Sequence, residues 1–345
     1  MGAGIFPEWT WIVGLMVGAT IGSFLNVVIY RLPRRMSLGN PRNSFCPNCK
    51  NQLGGPDLIP LFSWLTSKGK CRHCGIAVPS RYFWVELVTG CLWAAIWYRY
   101  FCYEGGNEAW KYGCAYAIGA AALVSIIFID GEHYIIPDEI NAFLLLVGVV
   151  FHLVQGTMRD CLIGYLVGWG IIFGIAFLGR VAFGKDAMGH GDIKMMRGVG
   201  ALIGGVLTVF SVGIAVVAGL VFGLLFMAIA ARKGKAAQSE GDEATGTVEE
   251  EDYKPESIKD LLILGISYLF CIDILAIWFP QVYTKFGYPV EDFSVEDDEW
   301  EPSLSTIPFG PYLAIGALVC ILFKTDLLDK WTEYLRTMQG PAFLP

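Results

Sequence analysis

Charge is scarce in this chain. Of 345 residues only 17% are Asp, Glu, Lys or Arg and four are histidine, whereas 54% are hydrophobic. A soluble globular domain carries about 25% charged residues, so that class is excluded. The long apolar runs also lack alternation of apolar and polar residues. This argues against barrel strands and for helices, which need about 20 residues to cross a hydrocarbon core. A basic n-region is missing from Met1 to Thr10, and the apolar run that follows is too long for a signal h-region and lacks a small-residue cleavage pattern. An uncleaved first span is predicted. No internal repeat of the transporter kind is apparent. The sequence therefore predicts an all-α polytopic membrane protein, with about eight core transmembrane helices, one extra apolar segment and a small zinc-binding domain after the first helix. Its partner is the lipid bilayer, and no nucleic acid is implied.

The net charge of −7 is unevenly spread. After the first span, Trp9 to Tyr30, come Arg31, Arg34, Arg35, Arg42, Lys50, Lys68, Lys70, Arg72 and Arg81, with Asp57 the one acid between them. The positive-inside bias makes this segment cytoplasmic and puts the N-terminus outside. Within it lie Cys46-Pro-Asn-Cys49 and Cys71-Arg-His-Cys74, two knuckles that each offer two thiolates to one tetrahedral zinc ion. Disulfides are disfavoured by a reducing compartment. A segment this short buries little core, which a structural metal compensates. The other six cysteines scatter through apolar stretches as small packing residues.

Spans follow at Tyr82 to Phe101, which carries Glu86, then Trp110 to Ile129, Ile135 to Val154 and Cys161 to Phe183. Met195 to Ala231 has room for two more around Gly204-Gly205. Ala236 to Glu256 has no apolar periodicity and is predicted to be disordered. Leu261 to Phe279 is apolar and contains Asp273, for which no partner is evident. Glu291 to Glu301 is acidic, Ile307 to Phe323 is the last span, and the tail after it is amphipathic and interfacial. The resulting division is 1–30 first helix, 31–81 zinc domain, 82–231 transmembrane catalytic core, 232–306 insert, and 307–345 last helix with tail.

Two acids end apolar runs. Asp130 closes the third span, and Asp192 stands in Gly189-His190-Gly191-Asp192-Ile193-Lys194. Acids at membrane depth are expensive and mark pairs, pathways or active sites. Two spans separate them, so parity brings both to the cytoplasmic side. Carboxylates within a few ångströms cannot both ionise comfortably, and such a pair activates water for peptide hydrolysis. The competing readings are a pair of interfacial helix N-caps, a metal site involving His133 and His190, or a proton relay in a transporter or receptor whose zinc module docks a partner.

In this order and spacing these motifs resemble the type IV prepilin peptidases, GxGD aspartyl proteases of type IV pili and type II secretion. The residues that carry the resemblance are Gly22-Ser-Phe-Leu-Asn-Val-Val-Ile-Tyr-Arg-Leu-Pro33, the cysteine knuckles around Leu58 to Trp64, Arg81-Tyr82 leading to Glu86, Asp130 to Asp138, Gly189 to Lys194, and Ile307-Pro-Phe-Gly-Pro-Tyr-Leu313. The resemblance implies an enzyme of the bacterial inner membrane that removes the basic leader of prepilins or pseudopilins at the cytoplasmic face. It assigns catalysis to Asp130 and Asp192 and supporting or substrate-binding roles to Gly189, Gly191, Lys194, Glu86 and Asn26. It also implies, for many members, methylation of the new N-terminus from S-adenosylmethionine, for which the sequence shows no strand-turn-helix glycine fingerprint. The stretch from Lys233 to Thr306 departs from the family. If Leu261 to Phe279 crossed the membrane, Pro308-Phe-Gly-Pro311 would face away from the acids, and a re-entrant or surface-lying segment is therefore expected.

Overall fold

The structure is a computed structural model, and it describes residues 4–41, 43–104, 108–184, 188–238, 257–279 and 308–339. Of the stretch Ala236 to Glu256 expected to be disordered, the first three residues continue a helix, and 239–256, like the acidic stretch Glu291 to Glu301, lie outside the described residues. Helices account for nearly all regular structure. The described residues contain no named strand, only the isolated bridges Phe45 to Gln52 and Lys70 to Ala77.

In chain order the helices are α1 Trp11–Arg31, α2 Phe62–Thr66, α3 Arg81–Trp97, α4 Ala109–His133, α5 Asp138–Gln155, α6 Met158–Phe183, α7 His190–Ile203, α8 Gly205–Gln238, α9 Ile258–Leu269, α10 Ile272–Trp278, α11 Gly310–Leu322 and α12 Lys324–Gln339. Five helices are long and apolar enough to cross a membrane, or up to six if the bent pair α11–α12 is one span. α3 is not among them, and it runs on into π-helical turns at Tyr98–Tyr103. α7 is short because Gly204, at φ 82°, ends it before α8 begins. Together these helices make up the predicted multi-helix bundle.

α4 is the axis. Within its apolar window 72% of residues are buried, against 28% in α6 and in α8. Its middle is alanine-rich, with Ala115, Ala117, Ala120, Ala121 and Ala122 all buried, so neighbouring helices approach it closely on every side. α1 meets α3 through Gly14, Gly18 and Gly22, the small-residue spacing that lets membrane helices touch in the absence of a hydrophobic driving force. A Cβ at Gly22 would lie 2.7 Å from Glu86 Cα. α6 and α7 are closer still, since a Cβ at Gly164 would stand 1.9 Å from the Gly200 carbonyl oxygen.

The apolar segment 257–279 does not cross the bundle as one rod. Cys271, at φ 56°, breaks it into α9 and α10, each far shorter than the roughly 20 residues a crossing needs. α9 packs along α6, where Trp169 Nε1 donates to Gly265 O at 3.0 Å and Tyr165 Oη to Tyr268 O and Leu269 O at 2.9 Å each, while α10 packs against α5. α12 turns 82° away from α11. This bend suits a helix lying along an interface.

Candidate active site and thiolate centre

Asp130 belongs to the last turn of α4, and Tyr134 in the left-handed region (φ 56°) ends that helix. Asp192 lies in the first turn of α7, after Gly189 as N-cap. Both carboxylates are buried, at 6% and 8% exposure, and Asp130 is close enough to act electrostatically on Asp192. Their neighbours are glycines. The Gly189 N–H donates to Asp192 and the Gly310 N–H, at the start of α11, donates to Asp130. Ile136 packs between them, 3.0 Å from where a Cβ would stand on either Gly191 or Gly310. Two helix N-termini, those of α7 and α11, therefore point their unpaired N–H groups and positive dipole ends at a carboxyl pair.

The motif Pro308 to Pro311 thus lies against Asp130, on the side of the acids, as the re-entrant reading of 261–279 expects. Lys194, 9% exposed, donates to both Asp138 oxygens at 2.9 Å and lies 5.0 Å from the Tyr268 ring centroid. The His190 ring stacks edge-on against Tyr268 at 5.8 Å. Neither His133 nor His190 joins a group of three or more metal-ligating side chains among the described residues. Asp273 is not partnerless. It forms a buried bidentate ion pair with Arg197 of α7, a residue the sequence reading passed over. A cation set among Met195, Met196 and Val199 in α7 and an acid in the middle of an apolar run were the available signal.

Glu86 and Asn26 lie elsewhere, at the α1–α3 junction under the zinc-binding domain. Glu86 accepts the Leu61 N–H at 2.6 Å, and Asn26 donates to Tyr82 O at 3.0 Å. Asp57 is taken up by the Gly54 N–H at 3.1 Å and by Arg72 at 3.2 Å. A cavity of about 610 Å³ opens between α1, α3 and this domain, bordered by Asn26, Tyr30, Trp64, Tyr82, Glu86 and Glu132. Glu132, two residues past Asp130, pairs with Arg81 at the head of α3. The polar domain and the carboxyl pair therefore share one end of the bundle.

The four cysteines 46, 49, 71 and 74 bring their sulfurs within 4.8 Å of one another, with Cys46 and Cys74 at 4.0 Å. Four thiolates around a tetrahedral zinc at about 2.3 Å stand roughly 3.8 Å apart, so the cluster fits such an ion. The two knuckles are built alike. In each the first cysteine N–H reaches forward five residues, Cys46 to Asn51 O and Cys71 to Ile76 O, and the residue four on, Lys50 or Gly75, donates back to that cysteine. Both Lys50 and Gly75 have positive φ. The Ile76 N–H first, and then the Asn48 amide, hold the Cys74 thiol below its ordinary range.

Residues 16–100 match the family model described as Bacterial Peptidase A24 N-terminal domain, and residues 117–224 that described as Type IV leader peptidase family. A "Prepilin leader peptidase/N-methyltransferase" of Myxococcus xanthus strain DK1622 is 31% identical over 317 residues, covering 89% of this chain and 88% of that protein. Proteins of the same name from Stutzerimonas stutzeri and Pectobacterium carotovorum subsp. carotovorum are 30% and 32% identical, covering 62% and 65% of this chain and 80% and 86% of their own length. No solved structure matches.

Proposed function

The chain belongs to the type IV leader peptidase family and is a membrane-embedded peptidase, and from that premise we propose that Asp130 and Asp192 are its catalytic carboxyl pair, cutting the basic leader from prepilins or pseudopilins at the cytoplasmic face. The observation that carries this reading is the meeting of two buried carboxylates from α4 and α7 among glycine N–H groups. In a carboxyl pair buried together, one keeps its proton while the other takes a proton from water. The protonated partner polarises the scissile carbonyl, and the tetrahedral intermediate collapses when the leaving nitrogen is protonated. Gly189 and Gly191 leave room for a substrate backbone. Lys194, held by Asp138, fixes the first turn of α7.

The same chain methylates the new N-terminal amine in this proposal, and S-adenosylmethionine supplies the methyl group. The cavity beside the zinc-binding domain fits that cofactor. Tyr30, Tyr82 and Trp64 offer faces for its adenine, and Asn26 Oδ1 and Arg81 Nε, buried with no hydrogen-bond partner, belong to residues that border it. The four-thiolate cluster holds a structural zinc that stiffens this wall.

Product masses from a prepilin peptide incubated with the purified protein, with and without S-adenosylmethionine, test both activities. Asp130→Asn and Asp192→Asn are expected to abolish cleavage in a folded protein, and cleavage retained by either variant refutes the assignment. Tyr30→Ala is expected to lower methyl transfer about tenfold with cleavage nearly unchanged. This split corresponds to about 1.4 kcal/mol confined to one activity.

A further inference from the structure

We infer that Arg197 is a positioning residue for Asp192, and that the segment 257–279 is a working part of the peptidase site; this rests on Asp192 being one of the two catalytic carboxylates. α7 has only 14 residues, and its first turn carries Asp192. The glycine contact of Gly164 with Gly200 fixes where its C-terminal half sits on α6. A contact between two glycines has no side chain to resist rotation about the helix axis. Rotation is what aims Asp192 at Asp130.

Arg197 follows Asp192 by five residues, which at 100° per residue places it about 140° around the helix. It is 1% exposed. Its guanidinium lies in the break between α9 and α10, donating to both Asp273 oxygens and to Tyr268 O. The break suits it. The carbonyls at the end of α9 carry the negative end of one helix dipole, and Asp273 lies in the first turn of α10, so cation and acid each complement a helix end. Tyr165 Oη donates to the same carbonyl of Tyr268, which locks the break to α6. From there the Tyr268 ring reaches back to His190 and Lys194, two residues before and two after Asp192. Beside the Lys194–Asp138 pair and the packed Met195, Met196, Val199 and Leu202, one planar fork on the far face of α7 and one aromatic ring on its near end thus add the directional hold on its rotation. A fork meets a carboxylate in one orientation, which a point charge does not require.

The experiment compares steady-state cleavage of a prepilin peptide by the full chain in detergent with that of two variants, using Asp192→Asn as control. Loss of cleavage in Asp192→Asn establishes the premise separately. Arg197→Met with Asp273→Leu removes both buried charges at once, so no uncompensated ion remains to unfold the bundle. The expected result is a folded, zinc-containing protein whose kcat falls about tenfold or more while KM stays within about twofold. Should that pair fail to accumulate in membranes, Arg197→Lys, which keeps the charge and gives up the fork, decides by the same split. Unchanged kcat in a folded variant, or a loss carried by KM alone, overturns the inference.

Discussion

Gly310 has no side chain, and a methyl group there would stand 2.5 Å from Asp130 Oδ2 and 3.0 Å from Ile136 Cδ1. The first neighbour is the free end of a side chain and gives way cheaply. Gly310→Ala is therefore expected to fold but to swing the Asp130 carboxylate off its line, lowering kcat about tenfold, which initial cleavage rates measure. Gly164 presents the opposite case. Its added methyl would meet the Gly200 carbonyl at 1.9 Å, and backbone cannot swing aside. Gly164→Ala is expected to cost about 1–3 kcal/mol of stability by overpacking, seen as a lower thermal midpoint and reduced yield from membranes. The two glycines look alike in the sequence. What lies opposite each of them decides which loss follows.

At the scale of elements, Glu86 joins α3 to the zinc-binding domain through the Leu61 N–H. Glu86→Leu leaves that N–H without its partner, at a cost of about 1–3 kcal/mol, and is expected to speed hydrogen exchange and proteolysis within residues 55–66 while the α4–α7 carboxyl site still cuts. Cys46→Ser is expected to release about one zinc ion per chain; unchanged metal content by elemental analysis counts against the four-thiolate site. The knuckles, the spans and the acid pair were legible because each is a local pattern or a parity rule. Arg197 was not. Its meaning depends on Asp273, 76 residues away, and a buried cation in a helix gives no hint of which acid it meets. The Gly14, Gly18 and Gly22 series on α1 was available as a helix-packing signal, although its partner, the Val85 to Trp97 face of α3, was not.

At the scale of the molecule, the Arg81–Glu132 pair puts the zinc-binding domain and the carboxyl site at one end, while Lys111 with Glu108 and Gln155 marks the other. Single cysteines at Glu132 and at Glu108 are expected to take a membrane-impermeant maleimide from opposite sides of sealed vesicles, Glu132 from the cytoplasmic side. Labelling of both from one side contradicts the parity argument. The sequence by itself determined the apolar helices, the cysteine knuckles that follow the first of them and the family the chain belongs to, because hydropathy and ligand spacing act over a turn or a helix. The tertiary structure alone decided that α7 and α11 both aim their N-termini at the carboxyl pair. It also decided that 257–279 breaks into two short helices, one against α6 and one against α5, and that Asp273 is neutralised by Arg197. Those outcomes depend on the shapes that glycines leave on distant helices, and on buried charges finding whichever partner the packing brings within reach.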